Sequence, residues 1–139
     1  MKKICTIILI LTIIILELNA QDIDQNNHVS CDSILQSRIE TSIMFSIGGR
    51  MAEWLPAPNN PNCETGLFLI EFTVNRQGKI LTVEFLTKKS STISDILKNE
   101  LLKVAKESRF SINTNSPKKQ KGNITYRLKI KEKTPPNKV

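Results

Sequence analysis

From Gly66 the chain alternates apolar and polar positions with a period of two. Phe68, Ile70, Phe72 and Val74 share one face of a first strand; after Asn75-Arg76-Gln77-Gly78, a second run sets Ile80, Thr82, Glu84 and Leu86 against Leu81, Val83 and Phe85. The link predicts a hairpin, because Gly78 can take positive φ without a Cβ clash and the Asn75 side chain can close the turn. Leu67, Leu69 and Leu81 put apolar groups on the second face as well. At least part of that face is therefore expected to be covered or to serve as a contact surface.

The period then changes. Ile93, Leu97, Leu101 and Val104 recur at four, four and three, widened by Leu102 and Ala105, and Thr92 with Asp95 reads as a capping box. This predicts a helix over 93–107 lying on the sheet, with Phe110 plugging its C-terminal end as a core residue. Past the polar, lysine-containing loop SINTNSPKKQKGN, ITYRLKIK alternates again, with Ile124, Tyr126, Leu128 and Ile130 inward and Thr125, Arg127, Lys129 and Lys131 outward. Upstream, Ile34, Leu35, Arg38, Ile39, Ser42, Ile43 and Ile47 fall at helix-like intervals, predicting a helix over 33–46 that Gly48 and Gly49 end. A short turn from Met51 to Leu55 is expected to pack Trp54, and three prolines within 56–66 mark a turn-rich connector. The order α-β-β-α-β gives an α+β domain over 33–131, a three-stranded antiparallel sheet packed against two helices.

Outside that domain, Lys2 and Lys3 precede an apolar run from Ile4 to Leu16, and Leu18-Asn19-Ala20 follows Glu17. That order predicts a signal peptide over 1–20, cut before Gln21, and hence a periplasmic or secreted protein. The run is short for a bilayer span, although an uncleaved anchor is the alternative. Residues 21–32 read as a flexible polar segment and 132–139 as a flexible tail. Taking Lys2, Lys3 and Glu17 from totals of 20 Lys+Arg and 13 Asp+Glu leaves a net charge of +6, with acids and bases interspersed as on a solvated surface. Of three cysteines, Cys31 and Cys63 lie beyond the cut, 32 positions apart with no CxxC, so one structural disulfide is expected in an oxidising compartment.

The residues offer little for catalysis. The one histidine, His28, sits in the polar segment, and no HExxH, cysteine cluster, phosphate-cradling glycine loop or calcium loop occurs. Glu71 and Glu84 on neighbouring strands could face one another, but they read as surface partners for Lys79, Lys88 or Arg127. The expectation is a non-enzymatic domain with no cofactor, no metal site, no small-molecule substrate and no nucleic-acid partner.

The segment Gly66–Lys131 resembles the C-terminal domain of the TonB family. The likeness rests on Gly66 before the first strand, Phe72 and Val74 ending it, Gly78 in the turn, Val83 in the second strand and Arg109-Phe110 closing the helix. FSIGGRMAEWL at 45–55 is similar to the glycine-pair approach in TonB-like proteins of Bacteroidetes-type bacteria. The resemblance implies capture of an extended peptide of an outer-membrane partner, such as a TonB-dependent receptor, beside the last strand. A terminal strand is the natural free edge of a three-stranded sheet, so Thr125, Arg127, Lys129 and Lys131 are the expected binding residues, favouring an acidic partner. The alternative is a stand-alone envelope domain that serves structure or homodimerisation without binding a receptor.

Overall fold

The computed structural model describes residues 31–132; the expected signal segment, His28 and the tail from residue 133 lie outside them. The described elements are α1 (Ser33–Ser37), β1 (Ile39–Ser46), β2 (Ala52–Trp54), β3 (Gly66–Val74), β4 (Ile80–Phe85), a 3-10 turn (Thr87–Lys89), α2 (Asp95–Glu107), β5 (Arg109–Phe110) and β6 (Gln120–Ile130). The domain is α+β as expected, but its main sheet has four antiparallel strands in the order β1-β6-β3-β4, and β2 pairs with β5 in a separate ribbon.

The fourth strand comes from the segment expected to be helical. Its helix lasts only five residues, capped by Asp32, whose side chain accepts from the Leu35 N–H at 2.7 Å, and it buries nothing. From Ile39 the β-branched and Ser/Thr-rich run IETSIMFS alternates instead, with Ile39, Thr41 and Ile43 half-buried and Glu40, Ser42 and Met44 exposed. A five-residue helix without a buried face has no packing to sustain it. The same residues laid along β6 place Ile43 opposite Tyr126 and Phe45 opposite Ile124.

The core is a single layer between the sheet's inner face and α2. Phe68, Ile70, Phe72 and Val74 of β3, Ile124, Tyr126 and Leu128 of β6 and Phe85 of β4 meet Leu97, Leu101, Val104 and Ala105 of the helix. Each fully buried Leu, Ile or Phe contributes about 2 kcal/mol relative to an exposed one, so this stripe outweighs any local propensity. Phe110 is buried as expected, stacked on Phe72 at 4.9 Å between centroids and met edge-on by Phe45 at 5.6 Å. The Tyr126 hydroxyl, carried into this core, has no hydrogen-bond partner among the described residues. Burial pushes that phenol's pKa up, and the Ser108 hydroxyl is donated to the Val104 carbonyl at 3.0 Å. Gly122, across from Phe72, leaves room for that ring: a Cβ there would lie 2.5 Å from Phe72 Cζ.

Two loops fix the elements in register. The β3–β4 turn forms as read, with Asn75 Oδ1 accepting from the Lys79 N–H at 3.0 Å and Gly78 at φ +82°, where a Cβ would strike the Phe110 carbonyl oxygen. In the connector, Cys63 is bonded to Cys31, with 5.4 Å between Cα atoms, and Asn60 braces Glu64 through both its side-chain oxygen and nitrogen. The Glu64 carboxylate accepts from the Ser94 N–H at 2.8 Å and from the Ser94 hydroxyl, and Ser94 caps α2. The cap is thus Ser94 and not Thr92, because Glu64 holds Ser94 at the helix entrance. Trp54, expected to be packed in a short turn, is 60% exposed: Ala52–Trp54 is a three-residue strand, and the register irregularity between Ala52 and Trp54 lets Ala52 pack on the core while Trp54 faces out.

The disulfide joins α1 and the start of β1 to the start of β3 across a loop of 32 positions. A Cys31→Ser/Cys63→Ser variant should lose roughly 3 kcal/mol of stability in urea unfolding. A loss under about 1 kcal/mol would show that the bridge does not hold β1 in place.

Candidate functional site: an open strand edge

The four residues expected to form a free edge do not lie on one. β6 is an interior strand, paired with β1 on one side over Ile39–Ser46 and with β3 on the other over Gly66–Val74. Thr125 stands opposite Met44, Arg127 opposite Ser42, and Lys129 opposite Glu40, with which it makes an ion pair at 3.3 Å. Lys131 donates its N–H to the Arg38 carbonyl at 2.8 Å, and Arg38 Nη2 returns a bond to the Lys131 carbonyl at 3.2 Å. Their side chains face away from the core as expected, but their backbones are engaged. The place beside β6 that an extended peptide would take is occupied by β1 of the same chain.

The sheet's two real edges are β4 and β1, and they differ. β4 has six residues, a register irregularity opposite Thr73 and Val74, and its Leu81 carbonyl is taken by the Lys106 ammonium. At its start, Lys79 is bridged to Arg109, and the Phe110 N–H reaches the Gly78 carbonyl at 3.1 Å. A bulge, a lysine and a covering strand are the devices by which proteins close a sheet edge. β1 has none of them. It runs eight residues in unbroken register with β6, contains no Lys, Pro or Gly, and no described residue pairs its other side.

The phase of the ladder identifies the unpaired groups. The Lys131–Arg38 bond makes Arg38 an inward-bonding position, and antiparallel bonding alternates, so Glu40, Ser42, Met44 and Ser46 bond to β6. The N–H and C=O groups of Ile39, Thr41, Ile43 and Phe45 therefore point away from β6, forming a row of four residues unpaired among the described ones. Beside this row, Met44 is 48% exposed on one face and Phe45 is 39% exposed on the other. Glu40 is the only charged residue in the strand, and Lys129 already neutralises it.

A second cluster, not evident from the sequence, fixes where β1 ends. Arg50 is almost fully buried, yet none of its partners is a carboxylate. Its Nε donates to Gln120 Oε1 at 2.8 Å, Nη1 to the Ser111 carbonyl at 2.7 Å and Nη2 to Ser116 Oγ at 2.6 Å, with a longer bond from Nη1 to the Arg76 carbonyl. Burial lowers its pKa, although a guanidinium stays charged at neutral pH. One side chain thereby ties the approach to β2, the β3–β4 turn and the loop before β6. The Gly-Gly-Arg triplet at 48–50 is the only local sign of it.

No protein-family model matches the chain, and no curated protein matches it. Among solved structures it is similar to the solution NMR structure of the Pseudomonas aeruginosa TonB CTD. Identity is 16%, the TM-score is 0.48, and the match covers 63% of this chain and 92% of that one. A likeness so loose says nothing about function, which has to be read from this chain's own strand edges.

For catalysis the described residues bring little together. Glu71 and Glu84 do stand directly opposite one another on the outer face. The charge that meets them is Lys121, 3.0 Å from Glu71, and not Lys79, Lys88 or Arg127. The hydrogen bond to Glu71 and that carboxylate's charge raise the lysine's pKa. Among the described residues, no group of three metal-ligating side chains occurs.

Arg50→Met should cost about 3 kcal/mol in urea unfolding, because it leaves the Ser111 carbonyl, Ser116 and Gln120 without their charged donor. Arg50→Lys should recover less than half of that, since a point ammonium cannot serve acceptors spread around a fork. A loss under about 1 kcal/mol for the methionine variant would remove the cluster's structural role.

Proposed function

We propose that this domain is a non-enzymatic, exported protein-binding module that takes up an extended segment of an envelope or outer-membrane protein by strand addition to β1. The observation that carries the reading is the asymmetry of the two edges: β4 is bulged, lysine-capped and covered, whereas β1 is an eight-residue strand whose outward row of four residues has no blocking side chain. An uncovered edge of that kind pairs readily with another strand, its backbone supplying affinity and the flanking side chains selecting the partner. Here the flanks are Met44 and Phe45 with a neutralised Glu40, so the preferred partner is a β-prone segment of low charge and not an acidic one. Export is supported by the order of residues 1–20 and by the Cys31–Cys63 bond, a type of link that persists in oxidising compartments.

Homodimerisation through the same edge is the second reading, and one feature favours it. An antiparallel pairing of two copies centred on Ser42 would set Thr41 against Ile43, Ile39 against Phe45 and Glu40 against Met44, with no like charges opposed.

Both readings place the contact on β1. Thr41→Pro removes an outward-pointing N–H, leaves the bonds to β6 intact, and should weaken capture of an outer-membrane protein from envelope extract by about tenfold or more. Its thermal midpoint should stay within a few degrees of wild type. Arg127→Glu, whose side chain stands opposite Ser42 and neutralises nothing on β1, should capture as well as wild type. The opposite pattern, capture kept by the proline variant and lost with the Arg127 charge reversal, would contradict the assignment to β1. Recovery of this protein alone would favour the dimer.

A further inference from the structure

The end of the domain away from the disulfide carries apolar side chains that the core does not use. Met51 is 74% exposed, Trp54 60% and Ile112 68%. These residues sit on a braced support. The Met51 N–H is donated to Ser111 Oγ at 3.0 Å, and the Ser111 N–H to the Met51 carbonyl at 2.9 Å. Trp54 stands opposite Arg109 in the β2–β5 ribbon, and the Asn113 N–H is donated to the Arg76 carbonyl at 2.9 Å. Arg50 ties the same backbone together from below.

The charges around these residues are mostly of one sign. Arg76 lies in the β3–β4 turn and donates its Nε to the Ser116 carbonyl at 2.8 Å; Lys79 is bridged to Arg109; Lys118 and Lys119 follow Ser116 in the same loop. All five cations are exposed, and the nearby acids on these elements are Glu53 and Glu107.

We propose that this end of the domain docks on an anionic lipid surface, with Met51, Trp54 and Ile112 entering the headgroup layer and the cations meeting lipid phosphates. Charge complementarity selects an anion, and the apolar side chains select among anions. A soluble polyanion would leave a thioether, an indole and a branched alkyl group in water, whereas a bilayer interface takes up all three, and tryptophan in particular favours that depth. Basic side chains on apolar stems can bury the stem while keeping the charge at phosphate level. The surface is distinct from the outward row of β1, so its test does not depend on the strand-addition reading.

Trp54 is the only tryptophan in the chain, and it is itself one of the three exposed apolar side chains. Because residues 1–20 are themselves apolar, the full chain is read at Trp54 and not by cosedimentation. Titration with phosphatidylglycerol vesicles should shift Trp54 emission to the blue and protect it from acrylamide, and added salt should reverse the effect. Lys118→Glu/Lys119→Glu should lower the apparent partition by at least about tenfold while leaving the unfolding midpoint near wild type. Met51→Ser/Ile112→Ser should reduce the blue shift. Unshifted emission with those vesicles would overturn the proposal. So would an equal shift with pure phosphatidylcholine, an equal shift with soluble dextran sulfate, or wild-type partition of the lysine double variant.

Discussion

An antiparallel sheet that does not close on itself ends in two rows of backbone groups without partners. How this chain disposes of those rows governs the rest of its structure. On the β4 side a bulge, Lys106 and the short β5 strand share the task, and α2 packs over the same strands. On the other side β6 would have been the edge, had residues 39–46 stayed helical. They become β1 instead, and the unpaired row moves outward by one strand. The most regular strand of the sheet, β6, is thereby bonded on both sides, and the outermost strand is one with no fully buried side chain.

β1 adds little burial of its own, so its position depends on what holds its ends. Before it, the Cys31–Cys63 bond and the Asn60–Glu64–Ser94 chain connect it to the starts of β3 and α2. After it, Arg50 joins three separate backbone segments through one guanidinium. A buried cation served by carbonyls and hydroxyls is costly to desolvate, and such a group is retained where its geometry fixes an arrangement that apolar packing alone would leave loose. A strand held at both ends and open along its length can accept a neighbour without reorganising. That lowers the ordering cost of binding.

The parts of the fold legible in the sequence are those with a strong local period. The β3–β4 hairpin, α2, the inward Ile124, Tyr126 and Leu128 of β6, the core place of Phe110 and the pairing of Cys31 with Cys63 all follow from spacing or count, whereas Ile130, read as inward, is 42% exposed at the end of its strand. The first helix is cut short because ILQSRIETSIMFSI satisfies a helical and a strand pattern almost equally, and the choice is made by β6, which lies some eighty positions away in sequence. Strand order is of the same kind: the alternation of Thr125, Arg127 and Lys129 tells which face they occupy but not whether a strand lies beside them. Arg50 is invisible in the sequence because its meaning lies in Ser111, Ser116 and Gln120, none of them near it in the chain. An open edge is therefore legible as a consequence of an unclosed sheet, while the strand that forms it is not, and the sequence reading puts it on β6 instead of β1.

The central claim is that β1 is bonded to β6 on one side and to no described residue on the other, and native-state amide hydrogen exchange of the full chain tests it residue by residue. Alternation is the expected result: slow exchange at Glu40, Ser42 and Met44, whose N–H groups enter the ladder, and fast exchange at Thr41, Ile43 and Phe45, whose N–H groups face outward. Uniform protection over 39–46 would mean that another strand already covers the edge. Uniformly fast exchange there, together with loss of protection at Arg127 and Lys129, would mean that β6 is the edge after all, and either outcome would contradict the account.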